Sequence, residues 1–75
     1  MKEILLACGF IYEGVCMKCG GGDKYVKMIG GKPARIKANE QSGIFTLTYQ
    51  GSVTKGRKAM MEMILERNGI TSKSV

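Results

Sequence analysis

The residue types best suited to chemistry are the cysteines, and two of the three are spaced as metal ligands often are. Cys16 and Cys19 form a Cys-x-x-Cys motif followed by Gly20 and Gly21, whose flexible backbone would let both sulfurs face one ion. A structural zinc takes four ligands, so Cys8 and Asp23 could complete the site, or two chains could share one metal. The leading expectation is nevertheless thiols with no cofactor role. Zinc is the possible cofactor, and a redox pair is the other alternative.

Positive charge is the second functional signal. The chain carries 12 Lys and Arg against 6 Asp and Glu, a formal net charge of +6. Cations that share one surface bind polyanions, so we expect a nucleic acid as the partner, with RNA as the first candidate. Two clusters supply the expected contacts, which are Lys24, Lys27, Arg35 and Lys37 in one and Lys55, Arg57 and Lys58 in the other. The alternative is a solvated basic surface that only keeps the protein soluble.

Catalysis has little support in the composition. The chain contains no histidine, so it lacks the side chain that most often serves as a base near neutral pH. At 75 residues it is also too short for a multi-domain enzyme. We assign no catalytic residue and expect a binding protein.

The cations of the second cluster are expected at the start of a C-terminal helix. Residues 55–68 are mostly helix formers, Thr54 is a plausible N-cap and Gly69 is placed to end the helix. Cations at a helix start oppose the helix dipole, and a bound phosphate would reverse that cost.

The same helix has an apolar sector too wide for one narrow stripe. Met60, Met61 and Met63 could therefore dock a partner, most simply a second copy of the chain. The more common role of helical methionines is to fill the core. This gives the alternative function, a protein–protein adaptor or homo-oligomer with a structural zinc knuckle.

Short alternating segments separated by glycines indicate an antiparallel sheet. Strands are expected at 24–29, 34–38 and 44–49, with the polar turn at 39–43 joining the last two as a hairpin. In the middle strand Ala34, Ile36 and Ala38 face one way, and Arg35 and Lys37 face the other.

The first eighteen residues allow two interpretations. Residues 2–8 could form a short helix ended by Gly9, with a strand from about 10 to 17. Alternatively, residues 4–12 form one strand. We favour the helix, and expect the order α-β-β-β-α: a three-stranded antiparallel sheet with two terminal helices on one face. The second interpretation gives a four-stranded sheet with one C-terminal helix.

Both ends of the chain resemble one family. The segment Leu5-Leu6-Ala7-Cys8-Gly9-Phe10, and at the other end Lys55-Gly56 with the run from Ile64 to Ile70, are similar to the opening and closing helices of HicA-type mRNA interferase toxins. The resemblance implies an α-β-β-β-α fold related to the double-stranded RNA-binding domain. The catalytic histidine of those toxins is absent, since the corresponding stretch reads Gly21-Gly22-Asp23-Lys24. The resemblance therefore implies RNA binding without cleavage.

The chain is expected to be one small α+β domain, residues 1–75, with 71–75 as a flexible tail. Its longest apolar stretch, residues 4–12, is far shorter than the roughly 20 residues of a membrane span. An odd number of cysteines fits reduced thiols better than a secreted disulfide framework, so we expect a cytoplasmic protein.

Overall fold

The computed structural model describes residues 1–16 and 21–70, apart from the side chain of Cys16. Five strands follow one another along the chain: β1 (Ile11–Cys16), β2 (Gly22–Ile29), β3 (Lys32–Asn39), β4 (Ile44–Tyr49) and β5 (Ser52–Arg57). Each pairs antiparallel with the next, so the sheet order is β1-β2-β3-β4-β5. Helix α1 (Lys2–Ala7) precedes the sheet, and a 3-10 turn (Lys58–Met60) and helix α2 (Met61–Arg67) follow it.

Tight two-residue turns produce this meander. Gly30 and Gly31 join β2 to β3, and Gln50 and Gly51 join β4 to β5. All four residues have positive φ, as type I′ hairpin turns require, and the twist of that turn matches the twist of the strands.

Both helices pack on the same face of the sheet. The buried strand residues alternate along β3 and β4, and they meet apolar side chains from α1 and α2 in a single core. The largest fully buried side chains include Leu5 of α1, Tyr25, Ile36, Phe45 and Leu47 of the sheet, and Met61 and Leu65 of α2. No described helix covers the opposite face of the sheet, which we call the open face.

Each α-helix ends in a Schellman motif, as expected at Gly9 and Gly69. The glycine has positive φ in both cases, and its N–H bonds back to the last turn. The following residue, Phe10 or Ile70, donates its N–H to a carbonyl five residues earlier and buries its side chain. These glycines turn an apolar side chain into the core at each helix end.

The expected α+β class and antiparallel sheet are confirmed, but the three-strand count is wrong. The sheet has five strands, because the strand expected from about 10 to 17 joins it as β1 in addition to the three strands that were counted, and because 52–57 is also a strand. The four-strand alternative comes closer, but it lacks α1 and is one strand short. At the N-terminus, the helix interpretation is the correct one.

The C-terminal helix begins later than the sequence predicted, at Met61 rather than at residue 55. Thr54 lies inside β5 rather than at an N-cap, and α2 begins at Met61. Two features override helix propensity here. The Gln50–Gly51 turn reverses the chain so that β5 pairs with β4, and the β-branched Val53 and Thr54 favour a strand.

The described residues contain no helix long and apolar enough to cross a membrane. The flexible tail expected at 71–75 lies outside the described residues.

Helix α2 approaches the sheet closely at Gly56 of β5. A Cβ atom built there would lie 2.5 Å from Cδ1 of Ile64 and 3.2 Å from the ring of Phe45. Both side chains are buried, so neither can move aside without disturbing its neighbours. Glycine at this position therefore sets the distance between α2 and β5.

We predict that Gly56→Ala lowers the free energy of unfolding by about 1–2 kcal/mol through overpacking. Urea denaturation measures this. Ile64→Val removes the obstructing methyl, so it should cost less in the Gly56→Ala background than in the wild type. A Gly56→Ala protein as stable as the wild type would contradict the account.

Glu40 ties the β3–β4 turn to the start of α1. Its carboxylate lies 2.9 Å from the Met1 ammonium and accepts a hydrogen bond from the backbone N–H of Lys2. The hydrogen bond from the ammonium is the main cause that lowers the pKa of Glu40. The carboxylate thus supplies an acceptor to a helix start that has no side-chain cap of its own.

We predict that Glu40→Gln lowers the free energy of unfolding by about 0.5–1 kcal/mol at neutral pH, since the carboxylate is 45% exposed and screened by water. Because the folded-state pKa is lowered, this stability is present above about pH 4.3, the ordinary value for Glu, and is lost as the pH falls below it. Urea denaturation across that pH range tests the difference. The control Glu66→Gln should stay within about 0.5 kcal/mol of the wild type. A constant gap between wild type and Glu40→Gln at all pH values would refute this role.

Candidate nucleic-acid interface

Strand register determines which side chains reach the open face. Residues directly opposite each other on paired strands share a face, and the face alternates along each strand. One row across the sheet runs Gly14, Lys24, Lys37, Thr46 and Lys55. The three lysines of this row are exposed.

Lys24 and Lys37 are directly opposite on neighbouring strands, so their Cβ atoms are about 5 Å apart. Lys55 is two strands beyond Lys37, at about 10 Å, with Thr46 between them. The two cation clusters, separated along the chain, are therefore neighbours in one row of the sheet.

Two arginines extend this row in opposite directions. Arg35 is two residues before Lys37 on β3, and Arg57 is two residues after Lys55 on β5, so both point to the open face. We call Lys24, Arg35, Lys37, Lys55 and Arg57 the basic band. It crosses the sheet diagonally from β2 to β5.

Acidic residues are nearly absent from this face. Glu13 of β1 lies 3.8 Å from Arg35 and is, among the described residues, the one carboxylate beside the basic band. The other acidic residues lie elsewhere. Glu3, Glu62 and Glu66 belong to the helices, Glu40 lies in the β3–β4 turn against the start of α1, and Asp23 is on the helix-covered side of β2. Charge is thus segregated between the two sides of the molecule.

Two of the seven expected contact residues are not on the open face. Lys27 is on the helix-covered side of β2, and its Nζ donates a hydrogen bond to the backbone carbonyl of Cys8. Lys58 belongs to the 3-10 turn, where it borders a shallow groove with Ile4 and Glu62. Lys27 therefore supports the turn after α1, and Lys58 lies on the helical side.

The expected helix start at Lys55, Arg57 and Lys58 is wrong. Lys55 and Arg57 belong to β5, and the α-helix begins only at Met61. Lys55 therefore lies within a strand, and Arg57 directly precedes the 3-10 turn. Both residues lie on the open face of the sheet.

Tyr25 shares the face of Lys27 on β2 and is buried beneath the helices, so its ring is not available to stack on a base. Its ring packs against Tyr12, with ring centroids 5.3 Å apart. Burial raises the pKa of Tyr25. Phe45 and Tyr49 also face the helices, so none of the described strands presents an aromatic ring on the open face.

Sequence reasoning missed an apolar patch at one end of the open face. Ile11 is opposite Val26, and Met28 is opposite Pro33. We call these four residues the apolar corner. Ile11 and Met28 are 67% and 62% exposed. The sequence contained part of the signal, because alternation along β2 places Val26 and Met28 on the face opposite to that of Tyr25 and Lys27. Ile11 could be added to the patch only from the β1–β2 register, which the sequence did not show.

The cysteines are not brought together where the structure describes them. Cys8 follows α1 and is buried in the core, and burial raises the pKa of its thiol. Cys16 is at the far end of β1, about 16 Å from Ile11 along the strand. The Cys16 side chain and Cys19 lie outside the described residues. Within 1–16 and 21–70, no three His, Cys, Asp or Glu residues are grouped to hold a metal.

The three methionines of the expected docking surface divide between two roles. Met61 is fully buried in the core, as a methionine that fills space would be. Met60 and Met63 are 43% and 44% exposed. The expected surface is therefore reduced to these two side chains.

Comparisons with protein-family models, with curated proteins and with solved structures found no match to this chain.

Proposed function

We propose that this protein binds nucleic acid, with RNA as the first candidate, on the open face of its sheet. The phosphates would lie on the basic band. The observation that carries the proposal is the row Lys24, Lys37 and Lys55, which joins two distant parts of the chain. We propose binding without cleavage, since the sequence contains no histidine and Glu13 is the one carboxylate that the described residues place beside the band.

The close spacing within the row favours a polyanion. Like charges directly opposite each other are unfavourable in a sheet, and Lys24 and Lys37 occupy such a pair of positions. A phosphate backbone offsets that repulsion and releases its counterions on binding, which is the main source of non-specific affinity for nucleic acid.

Charge segregation argues against a merely solubilising surface. Solubility is served by charges of both signs spread over the surface. Here the helical side carries that mixture, with Glu3, Glu62 and Glu66 near Lys2 and Arg67, whereas Glu13 is the only acidic residue beside the basic band. A surface of one sign is the kind that attracts charged partners.

Docking of another protein through α2 is the weaker candidate. Once Met61 is buried, the exposed apolar pair Met60 and Met63 is smaller than the apolar corner on the open face. A structural zinc knuckle at Cys16 and Cys19 is compatible with either function, and Cys8 would not be one of its ligands.

We predict that Lys24→Gln with Lys55→Gln weakens binding of single-stranded RNA and flattens its salt dependence. If each lysine contacts one phosphate, the slope of log K against log salt falls by about 1.4. Fluorescence anisotropy over a salt series measures the slope.

The matched control removes the same charge from the helix-covered side, with Lys32→Gln and Arg67→Gln. It should keep the wild-type slope. Equal losses in the two double variants would mean that net charge alone drives binding. Wild-type protein that binds neither RNA nor DNA at low salt would refute the proposed function.

We predict that Glu13→Gln tightens RNA binding about two- to fivefold at low salt, because it removes the carboxylate beside Arg35. The gain should shrink as salt is raised. Glu66→Gln on α2 makes the same charge change away from the open face and should have a smaller effect. An affinity unchanged by Glu13→Gln would place Arg35 outside the interface.

A further inference from the structure

The apolar corner borders the basic band directly. Val26 is two residues from Lys24 on the same face of β2, about 7 Å away. Val26 is also directly opposite Arg35 on β3. A ligand that follows the lysines therefore passes beside four apolar side chains.

From this juxtaposition, and resting on the function proposed above, we propose that the ligand of the open face is a single-stranded nucleic acid. Its phosphates lie on the basic band, and its unpaired bases cover Ile11, Val26, Met28 and Pro33.

The apolar corner distinguishes a single strand from a duplex. In a duplex the faces of the bases are stacked inside, and the surface offers phosphates, sugars and groove edges. Such a ligand would use the lysines and leave Ile11 and Met28 in water. A single strand has base faces free to be buried against apolar side chains, and burial of those side chains adds to the affinity.

The contacts expected at the corner do not discriminate between bases. Aliphatic side chains carry no hydrogen-bonding groups, and the described strands place no aromatic ring on this face. The apolar corner thus lacks the hydrogen-bonding groups on which direct base readout depends. Binding should therefore tolerate different base sequences.

Two other occupants fit the described surface less well. A second copy of the chain would bring two basic bands together, and the like charges would repel. An anionic membrane would also attract the cations, but interfacial membrane surfaces usually carry aromatic anchors, and the open face has none among its described strand residues.

The test compares two labelled ligands with equal numbers of phosphates, an unpaired RNA of about 24 nucleotides and an RNA duplex of about 12 base pairs. Fluorescence anisotropy is measured for the wild type, for Ile11→Ser with Met28→Ser, and for Leu6→Ser with Met63→Ser. The last variant is the control, because Leu6 and Met63 are exposed apolar residues of the helices. Circular dichroism verifies that all variants are folded.

We expect the wild type to bind the single strand at least about fivefold tighter than the duplex. Ile11→Ser with Met28→Ser should remove most of that preference, weakening the single-strand complex by about five- to tenfold. Its salt slope and its duplex affinity should stay unchanged, and the control should bind like the wild type.

Equal affinity for both ligands, or a single-strand affinity unchanged by Ile11→Ser with Met28→Ser, would overturn this inference and leave the proposed function standing. Binding of neither ligand would overturn both. A separate measurement uses vesicles with and without phosphatidylserine. Binding to the anionic vesicles in preference to RNA would also overturn both the proposed function and this inference.

Discussion

The packing of two short helices against one face of a five-stranded sheet is the constraint on which the rest of the structure depends. Leu5 and the apolar residues of α2 bury the inner side chains of β2, β3 and β4, and that single layer contains the core. Gly56 lets α2 approach the sheet, and Glu40 holds the start of α1. No described element remains to cover the other side, so strand residues with alternating faces must present half of their side chains outward.

That outward half is where positive charge collects. Lys24, Lys37 and Lys55 come from three strands and meet in one row, because the meander places β2, β3, β4 and β5 side by side in register. The acidic residues, except Glu13, are distributed among the helices, the β3–β4 turn and the inner side of β2. The fold thereby converts a modest net charge into one basic surface next to an apolar corner, and these two features together support the proposed single-stranded ligand.

Local patterns in the sequence were sufficient where a short-range signal dominates. Alternation placed Arg35 and Lys37 opposite the core, and glycine at 9 and 69 marked the helix ends. Two of the segments that resemble the HicA-type toxins are these same helix ends, whereas the third, Lys55-Gly56, lies in β5. The expected RNA binding now depends on the open face and not on that likeness.

Long-range pairing was the part that local patterns could not supply. Residues 52–57 lie next to good helix formers, and only the Gln50–Gly51 turn and the pairing with β4 make them a strand. Because the sequence predicted a helix over residues 55–68, it placed Lys55 and Arg57 at a helix start, whereas both residues lie in β5. The apolar corner was missed for a related reason. Ile11 is opposite Val26 only through the β1–β2 register, which contains a bulge between Tyr12 and Gly14.

The most direct test of the central claim is a methyl NMR titration with single-stranded RNA, because isoleucine and methionine methyl groups occur on both sides of the sheet. Ile44 is directly opposite Arg57 and is therefore also on the open face. The account predicts that the methyl signals of Ile11, Met28 and Ile44 shift with added RNA, while those of Met60, Met63 and Ile64 stay in place. Shifts at the helical methyl groups, with the open-face signals unmoved, would contradict it.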